Sequence, residues 1–270
     1  MIRFDHVSKQ YSDGTRAVDD FTAEVPTGRT LALVGSSGCG KTTLLRMVNR
    51  MVDPTAGRVL IDEIDVAQQD PVQLRRSIGY VLQNAGLMPH RKVLHNILTV
   101  PRLRREDLGA ARERAMELME RVGLAPGLAD RYPSQLSGGQ RQRVGVARAL
   151  VHDPEILLMD EPFGAVDPVV RGDLQRLMRS LQDQLGKTVL FVTHDIDEAF
   201  ALADRVMILQ EGAEVAQAGT PAEILTEPAD EFVRSFIGAD KDRRTLRVRT
   251  INGRRVALDA GGRLAGLVED

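Results

Sequence analysis

Apolar and polar positions change period several times along this 270-residue chain, and each change marks an element. Ile2 and Phe4, with Val7 just beyond, alternate with Arg3 and Asp5, and Phe21 to Val25 repeats the pattern. Both stretches predict strands with one wet face, an antiparallel pair near the N-terminus. Thr30-Leu31-Ala32-Leu33-Val34 is apolar without alternation and reads as a buried parallel strand, with Thr43 to Val48 as the helix that follows. Gly57–Asp62 and Ile78–Leu82 predict two more strands, the second ending at Gln83. From Asn84 to Arg91 breakers interrupt the pattern around Leu87 and Met88, a loop that either meets a partner or folds onto its own core. Leu108, Ala111, Ala115, Leu118, Met119 and Val122 fall at helical spacing between Glu106 and Val122, with Gly123 as the stop. Another helix, Arg141 to Leu150, follows a Ser-Gly-Gly turn. Ile156–Met159, Val189–Thr193 and Val206–Leu209 are strand runs separated by helices over Val169–Leu185 and Ile196–Ala203. Such alternation of strands and helices defines an α/β fold with a mainly parallel sheet.

Composition shifts near Asp240, where Lys241-Asp242-Arg243-Arg244 forms a charged joint. Beyond it two alternating runs flank Asn252-Gly253, a strong short-range hairpin signal. Residues 1–240 are therefore expected to form the main unit and 241–270 a β-rich appendage too short to fold alone. The 36 basic residues nearly balance 38 acidic ones, for a net charge of −2, and no basic stripe points to nucleic acid. A single cysteine, Cys39, excludes an internal disulfide and fits a reducing compartment. No apolar run reaches the length of about 18 residues needed to span a bilayer, so a membrane role has to come through a partner.

Chemistry enters at Gly35-Ser36-Ser37-Gly38-Cys39-Gly40-Lys41-Thr42, which fits G-x-x-x-x-G-K-[ST] at every fixed position and sits between a strand and a helix. Gly35, Gly38 and Gly40 permit the tight turn that aims backbone N–H groups at anionic oxygens. Lys41 is placed to reach the β- and γ-phosphates, and the Thr42 hydroxyl to ligate Mg²⁺. Cys39, inside this loop, is expected to be an alkylation target rather than a nucleophile. Ser137-Gly138-Gly139-Gln140 makes a second anion-binding arrangement, a hydroxyl and N–H groups at a helix's positive end. Asp160-Glu161 closes a buried strand, where parallel sheets place ligands: Asp160 can hold Mg²⁺ through water, and Glu161 can position or deprotonate an attacking water. His194 also follows a strand and can reach a γ-phosphate. Tyr11, in a polar turn, is either an ordinary half-exposed tyrosine or a flat platform for a nucleobase.

Taken in order, these residues resemble the ATP-binding subunits of ABC transporters over about residues 1–240. The resemblance implies a P-loop ATPase cassette: a mainly parallel core sheet, an N-terminal antiparallel β subdomain and a helical subdomain at about 84–150 that carries the signature Leu-Ser-Gly-Gly-Gln (Leu136–Gln140). It implies that Tyr11 stacks on adenine, that Gly35 through Thr43, including Thr43 itself, is the Walker A loop, and that Gln83 ligates Mg²⁺ and senses the γ-phosphate. Glu161 is the implied general base, Asp160 a metal ligand, His194 the switch histidine, and Asp167 the aspartate of Gly164-Ala165-Val166-Asp167, where the family more often shows Ser-Ala-Leu-Asp. ATP and Mg²⁺ are the implied ligands. The implied assembly is a head-to-tail dimer of identical cassettes, each ATP lying between one Walker A loop and the partner's signature. Membrane-spanning permease subunits would touch residues near 83–100, a solute-binding protein would complete the complex, and the chain would lie at the cytoplasmic face of the cell membrane. Residues 160–171 and 87–97 most resemble importers of glycine betaine, choline, carnitine and related osmoprotectants; methionine, polyamine and other amino-acid-like solutes, and a non-transport ABC ATPase, stay open as alternatives. Val256 to Val268 resembles the strand–turn–strand of a cystathionine-β-synthase (CBS) repeat, cut short.

Overall fold

The computed structural model describes residues 1–164, 166–238, 247–251, 254–258 and 264–268. In chain order, β1 (Ile2–Gln10) and β2 (Arg16–Val25) form a hairpin, and β3 (Thr30–Gly35) leads through the glycine loop into α1 (Lys41–Val48). β4 (Ala56–Ile61) and β5 (Ile64–Asp65) return to the first sheet, and α2 (Pro71–Ser77) precedes β6 (Ile78–Val81). Four helices follow: α3 (Val93–Ile97), α4 (Thr99–Arg104), α5 (Leu108–Arg121) and α6 (Gly138–Leu150). β7 (Ile156–Asp160), α7 (Pro168–Leu185), β8 (Thr188–Thr193), α8 (Ile196–Leu202) and β9 (Arg205–Leu209) resume the alternation, and β10 (Val215–Gly219), α9 (Pro221–Thr226) and α10 (Glu231–Phe236) end it. A separate antiparallel sheet holds β11 (Arg247–Ile251), β12 (Arg254–Leu258) and β13 (Leu264–Leu267).

The core sheet runs β10-β9-β3-β8-β7-β6, parallel from β9 to β6 with β10 antiparallel at the edge. Every residue of β3, β7 and β8 is buried, which is why their apolar runs lack alternation. Their two faces feed different cores. Leu31, Leu33, Leu158, Leu190 and Val192 pack with α1 under the β2-β1-β4-β5 sheet, while Ala32, Val34, Leu157, Met159 and Phe191 pack with α6, α7 and α8.

The N-terminal strand keeps Ile2, Phe4 and Val7 all at 0 % exposure, although 4 to 7 breaks a period of two. A bulge between Phe4 and Val7, with His6 at φ 51, shifts the phase by one residue. Gly57 on the paired strand accommodates it: a Cβ there would stand 2.1 Å from the His6 carbonyl oxygen.

The segment after Gln83 folds onto the protein's own core instead of standing open. Leu87 packs against the larger core, and the fully buried Asn96 of α3 holds the segment. Its Oδ1 accepts from the Met88 N–H at 2.7 Å, and its Nδ2 donates to the carbonyls of Met88, Arg91 and Lys92 at 3.2, 2.9 and 3.1 Å. Periodicity did not announce α2, α9 or α10. In the C-terminal sheet the Asn252-Gly253 turn lies outside the described residues, but Ile251 pairs with Arg254 across it, the register of a two-residue hairpin. No helix among the described residues is long and apolar enough to cross a membrane.

Candidate active site

The glycine loop leaves β3 at its carboxyl end. Gly40, at φ 106, admits no other residue: a Cβ would stand 2.3 Å from the Ala17 carbonyl oxygen and 3.2 Å from Ala213 Cβ. Beyond it Lys41 begins α1 with its side chain buried beneath the loop, where Nζ donates to the carbonyls of Gly35 and Ser36 at 2.7 Å each and lies 3.6 Å from Cys39 Sγ. The ammonium is thus held by loop carbonyls that an anion would compete with. Cys39 is only 2 % exposed, so the expected alkylation requires the loop to open. Ser36, Ser37 and Gly38 form the exposed rim of the loop.

Side chains from the ends of β6, β7 and β8 converge beside this loop. Thr42 Oγ1 donates to Asp160 Oδ1 at 3.1 Å. Asp160 Oδ2 accepts from Tyr80 Oη at 3.3 Å and lies 3.8 Å from Arg46 Nη2. Burial, and next the Asp160 charge, push the Tyr80 phenol up to about 12, so it stays a donor at neutral pH. Glu161 turns out of the sheet at φ 45 while its N–H still donates to the Val192 carbonyl at 3.0 Å. Its Oε2 accepts from Gln83 Nε2 at 3.0 Å and its Oε1 lies 3.3 Å from His194 Nδ1. Tyr11, 40 % exposed, stands at the loop's other side, its Oη 3.4 Å from Thr43 Oγ1 and its ring centroid 5.4 Å from Lys9 Nζ.

The second anion-binding arrangement does not join this cluster within the chain. Ser137 Oγ caps α6 by accepting from the Gln140 N–H at 3.2 Å, and Gln140 Oε1 accepts from the Ser137 N–H at 2.9 Å. Among the described residues no hydrogen bond links 137–140 to 35–43. Gly138 opens α6, and Gly139 lies against α7, where a Cβ would be 2.6 Å from Val170 Cγ1. Asp167 precedes α7, its carbonyl accepting from the Arg171 N–H at 2.9 Å.

Several residues that shape the site escape motif reading. Tyr80 and Arg46 read as a strand aromatic and a helix-surface charge, and only the fold aims both at Asp160. Gln142 and Arg148 of α6 reach the segment around Gln83: Gln142 Nε2 donates to the Leu82 carbonyl at 3.1 Å, and Arg148 donates to the carbonyls of Ala85 and Gly86. Gln142 had a signal, being a polar residue on the same helical stripe as Val146 and Ala149. The donor set suits the implied ligands. Thr42 and Asp160 offer adjacent hard oxygens, as Mg²⁺ requires when phosphates and water supply its remaining ligands, and the Gln83 amide oxygen is a third donor.

A glycine loop between a buried strand and a helix, with an acidic pair at the carboxyl edge of the same parallel sheet, defines a P-loop nucleotide-binding protein. More narrowly, residues 18–164 match the ABC transporter family, and the chain belongs to it. The carnitine transport ATP-binding protein OpuCA of Listeria monocytogenes is 50 % identical over 241 residues, covering 89 % of this chain and 60 % of that protein. The glycine betaine uptake system ATP-binding protein YehX of Escherichia coli is 47 % identical over 257 residues, covering 95 % of this chain and 82 % of that protein. A bacterial ABC transporter cassette solved as a dimer superposes with a TM-score of 0.74 at 34 % identity, covering 82 % of this chain and 99 % of that one. The chain spans only 60 % of the length of the carnitine relative, and 65 % of a related osmoprotectant import protein of Salmonella typhimurium.

Proposed function

We propose that this chain is the ATP-hydrolysing subunit of an importer for osmoprotectants such as glycine betaine, choline or carnitine. The observation that carries the ATPase reading is the convergence of Gln83 and His194 on the Glu161 carboxylate, next to the Thr42–Asp160 pair. The solute class is supported by what the relatives are named for.

On this reading Lys41 exchanges its loop carbonyls for the β- and γ-phosphate oxygens of ATP, and Tyr11 stacks on adenine. Ser36, Ser37, Gly38, Cys39 and Gly40 supply backbone N–H groups to the phosphates. Thr42, Asp160 and Gln83 would hold Mg²⁺, which when bound neutralises phosphate charge. Water attacks the γ-phosphorus in line, the bond to the bridging oxygen breaks, ADP leaves, and Glu161 takes the water's proton. His194 holds the γ-phosphate. A second, identical copy packed head-to-tail presents Ser137, Gly138, Gly139 and Gln140 to the same ATP and places Asp167 at the seam; that accounts for a signature that does not meet the loop of its own chain. Permease subunits dock near residues 83–100, a solute-binding protein delivers the solute, and the subunit sits at the cytoplasmic face of the membrane. Residues 1–240 form the cassette, with its helical part at about 84–150, and 241–270 a short β-rich appendage that resembles part of a CBS repeat.

The test is uptake of labelled glycine betaine, choline, proline and methionine at high osmolarity in a strain lacking the gene. Quaternary-amine uptake returning with the wild type and not with Lys41→Ala is the expected result. Return of another solute alone would overturn the solute class, and no change in any uptake despite good expression would overturn the transport role.

A further inference from the structure

Behind the switch histidine lies a charged cluster that the hydrolysis chemistry does not use. Glu198 on α8 is 3 % exposed, and Thr193 Oγ1 donates to its Oε2 at 2.6 Å. Asp195 caps α8, its Oδ1 accepting from the N–H groups of Asp197 and Glu198 at 2.9 and 3.4 Å, while its own N–H donates to Thr193 Oγ1 at 3.0 Å. The residues on both sides of His194 are therefore held by one network.

Its cation comes from another element. Arg171, in the first turn of α7, donates through Nη1 to Asp195 Oδ2 at 3.4 Å and lies 3.8 Å from Glu198 Oε1. These distances exceed the ordinary 2.7–2.9 Å or so of a charge-assisted bond, and the buried Arg171 Nε has no hydrogen-bond partner. The guanidinium is thus placed between two carboxylates without being fully committed to either. A cation in a helix's first turn also opposes the helix dipole, so its location calls for a reason outside α7. The Arg171 backbone N–H donates to the Asp167 carbonyl at 2.9 Å, the first bond of α7, so the backbone that carries the guanidinium is joined directly to the turn expected at the dimer seam.

We propose that Arg171 is a positioning residue that couples the Asp167 turn to His194. Movement of that turn as the partner cassette closes carries the guanidinium onto Asp195 and Glu198, and the loop bearing His194 is set against Glu161 as a result. The inference rests on the ATPase reading given above.

The test is a double-mutant cycle on the full chain: ATP turnover of wild type, Arg171→Met, His194→Ala and the double variant, with ATP affinity and thermal unfolding measured on each. Arg171→Met is expected to lower kcat roughly five- to twenty-fold at unchanged ATP affinity, and to cost less than about twofold more once His194 is gone, because a residue acting through His194 then has nothing to act on. Arg171→Lys is expected to recover part of the loss. Equal fold losses in both backgrounds would overturn the proposal in an otherwise active protein. Should Arg171→Met lose cooperative unfolding, Glu198→Gln takes its place in the cycle, since it removes the facing charge and keeps the acceptor for Thr193, and the same non-additivity is required of it. A wild-type chain that binds ATP without turning it over would overturn the ATPase reading, and this inference with it.

Discussion

Glu161 stands at φ 45 directly after the fully buried β7, and that left-handed turn swings its carboxylate out of the sheet toward Gln83 and His194. Holding a non-glycine residue there costs on the order of 1–3 kcal/mol, which the Glu161 N–H bond to Val192 helps offset. Glu161→Gln keeps the shape and removes the carboxylate proposed as the base, so on that proposal ATP turnover should fall on the order of 10²–10⁴-fold. ATP binding should persist, and size-exclusion chromatography with ATP should show an accumulated dimer; turnover at the wild-type rate would remove Glu161 from its role. His152 offers a second prediction at this scale. It is 6 % exposed with both ring nitrogens unpartnered, and burial, then the Arg104 charge, push it down to about 4. Between that value and its ordinary 6.5 the unfolded chain binds more protons than the folded one, so stability rises with pH. The neutral form's full contribution is present above pH 6.5 and is lost, at about 1 kcal/mol per pH unit, as the pH falls toward 4. Denaturant titrations from pH 7 to 4.5 should show a shallower acid loss for His152→Leu than for wild type, the difference between the two proteins isolating this group from the carboxylates. At this scale the motif residues were legible because each pattern is contiguous or follows a strand end. Tyr80 was not, because an aromatic in a strand reads as core until Asp160 is placed beside it.

Among the elements, the segment from Gln83 to Lys92 depends most on a single side chain. Asn96→Ala leaves the Met88 N–H and the Arg91 carbonyl without a partner, while the Met88 and Lys92 carbonyls still accept from the N–H groups of Arg91 and residue 96, a loss of about 1–3 kcal/mol by the usual cost of a buried unsatisfied group. Chemical denaturation should register that loss. Solute uptake should fall more than ATP turnover if this segment meets the permease; an equal fall in both would detach the segment from coupling. The helices missed by periodicity divide by cause. Asp70-Pro71 before α2 and Thr220-Pro221-Ala222-Glu223 at α9 are cap signals, with Asp70 accepting from Val72 and Gln73 and Thr220 forming a capping box with Glu223. Those two were legible from their first residues although each is too short for a helical period to develop. The β1 bulge was not, since the phase shift at His6 is accommodated by Gly57 on the neighbouring strand, far away in the chain.

For the molecule as a whole the decisive fact is that the signature at the start of α6 makes no hydrogen bond to the glycine loop among the described residues. If each ATP is shared between two copies, Lys41→Ala and Ser137→Arg, each inactive alone, should recover turnover when mixed. With random pairing roughly a quarter of the sites combine an intact loop with an intact signature from the other chain. No recovery on mixing folded variants would place loop and signature function within one chain.

What the sequence determined by itself is local. Eight contiguous residues specify the phosphate loop, unbroken apolar runs specify buried parallel strands, and the order of the motifs points to the family, since none of these needs a distant partner. The tertiary structure alone decided which side chains share a site: Tyr80 and Arg46 on Asp160, Gln83 and His194 on Glu161, Arg171 between Asp195 and Glu198. Those meetings follow from the order β9-β3-β8-β7-β6, which brings strand ends far apart in the chain to one edge. Pairing across such distances leaves no periodic trace along the chain, because the hydrophobic pattern records which face of a strand is buried and not which strand lies beside it.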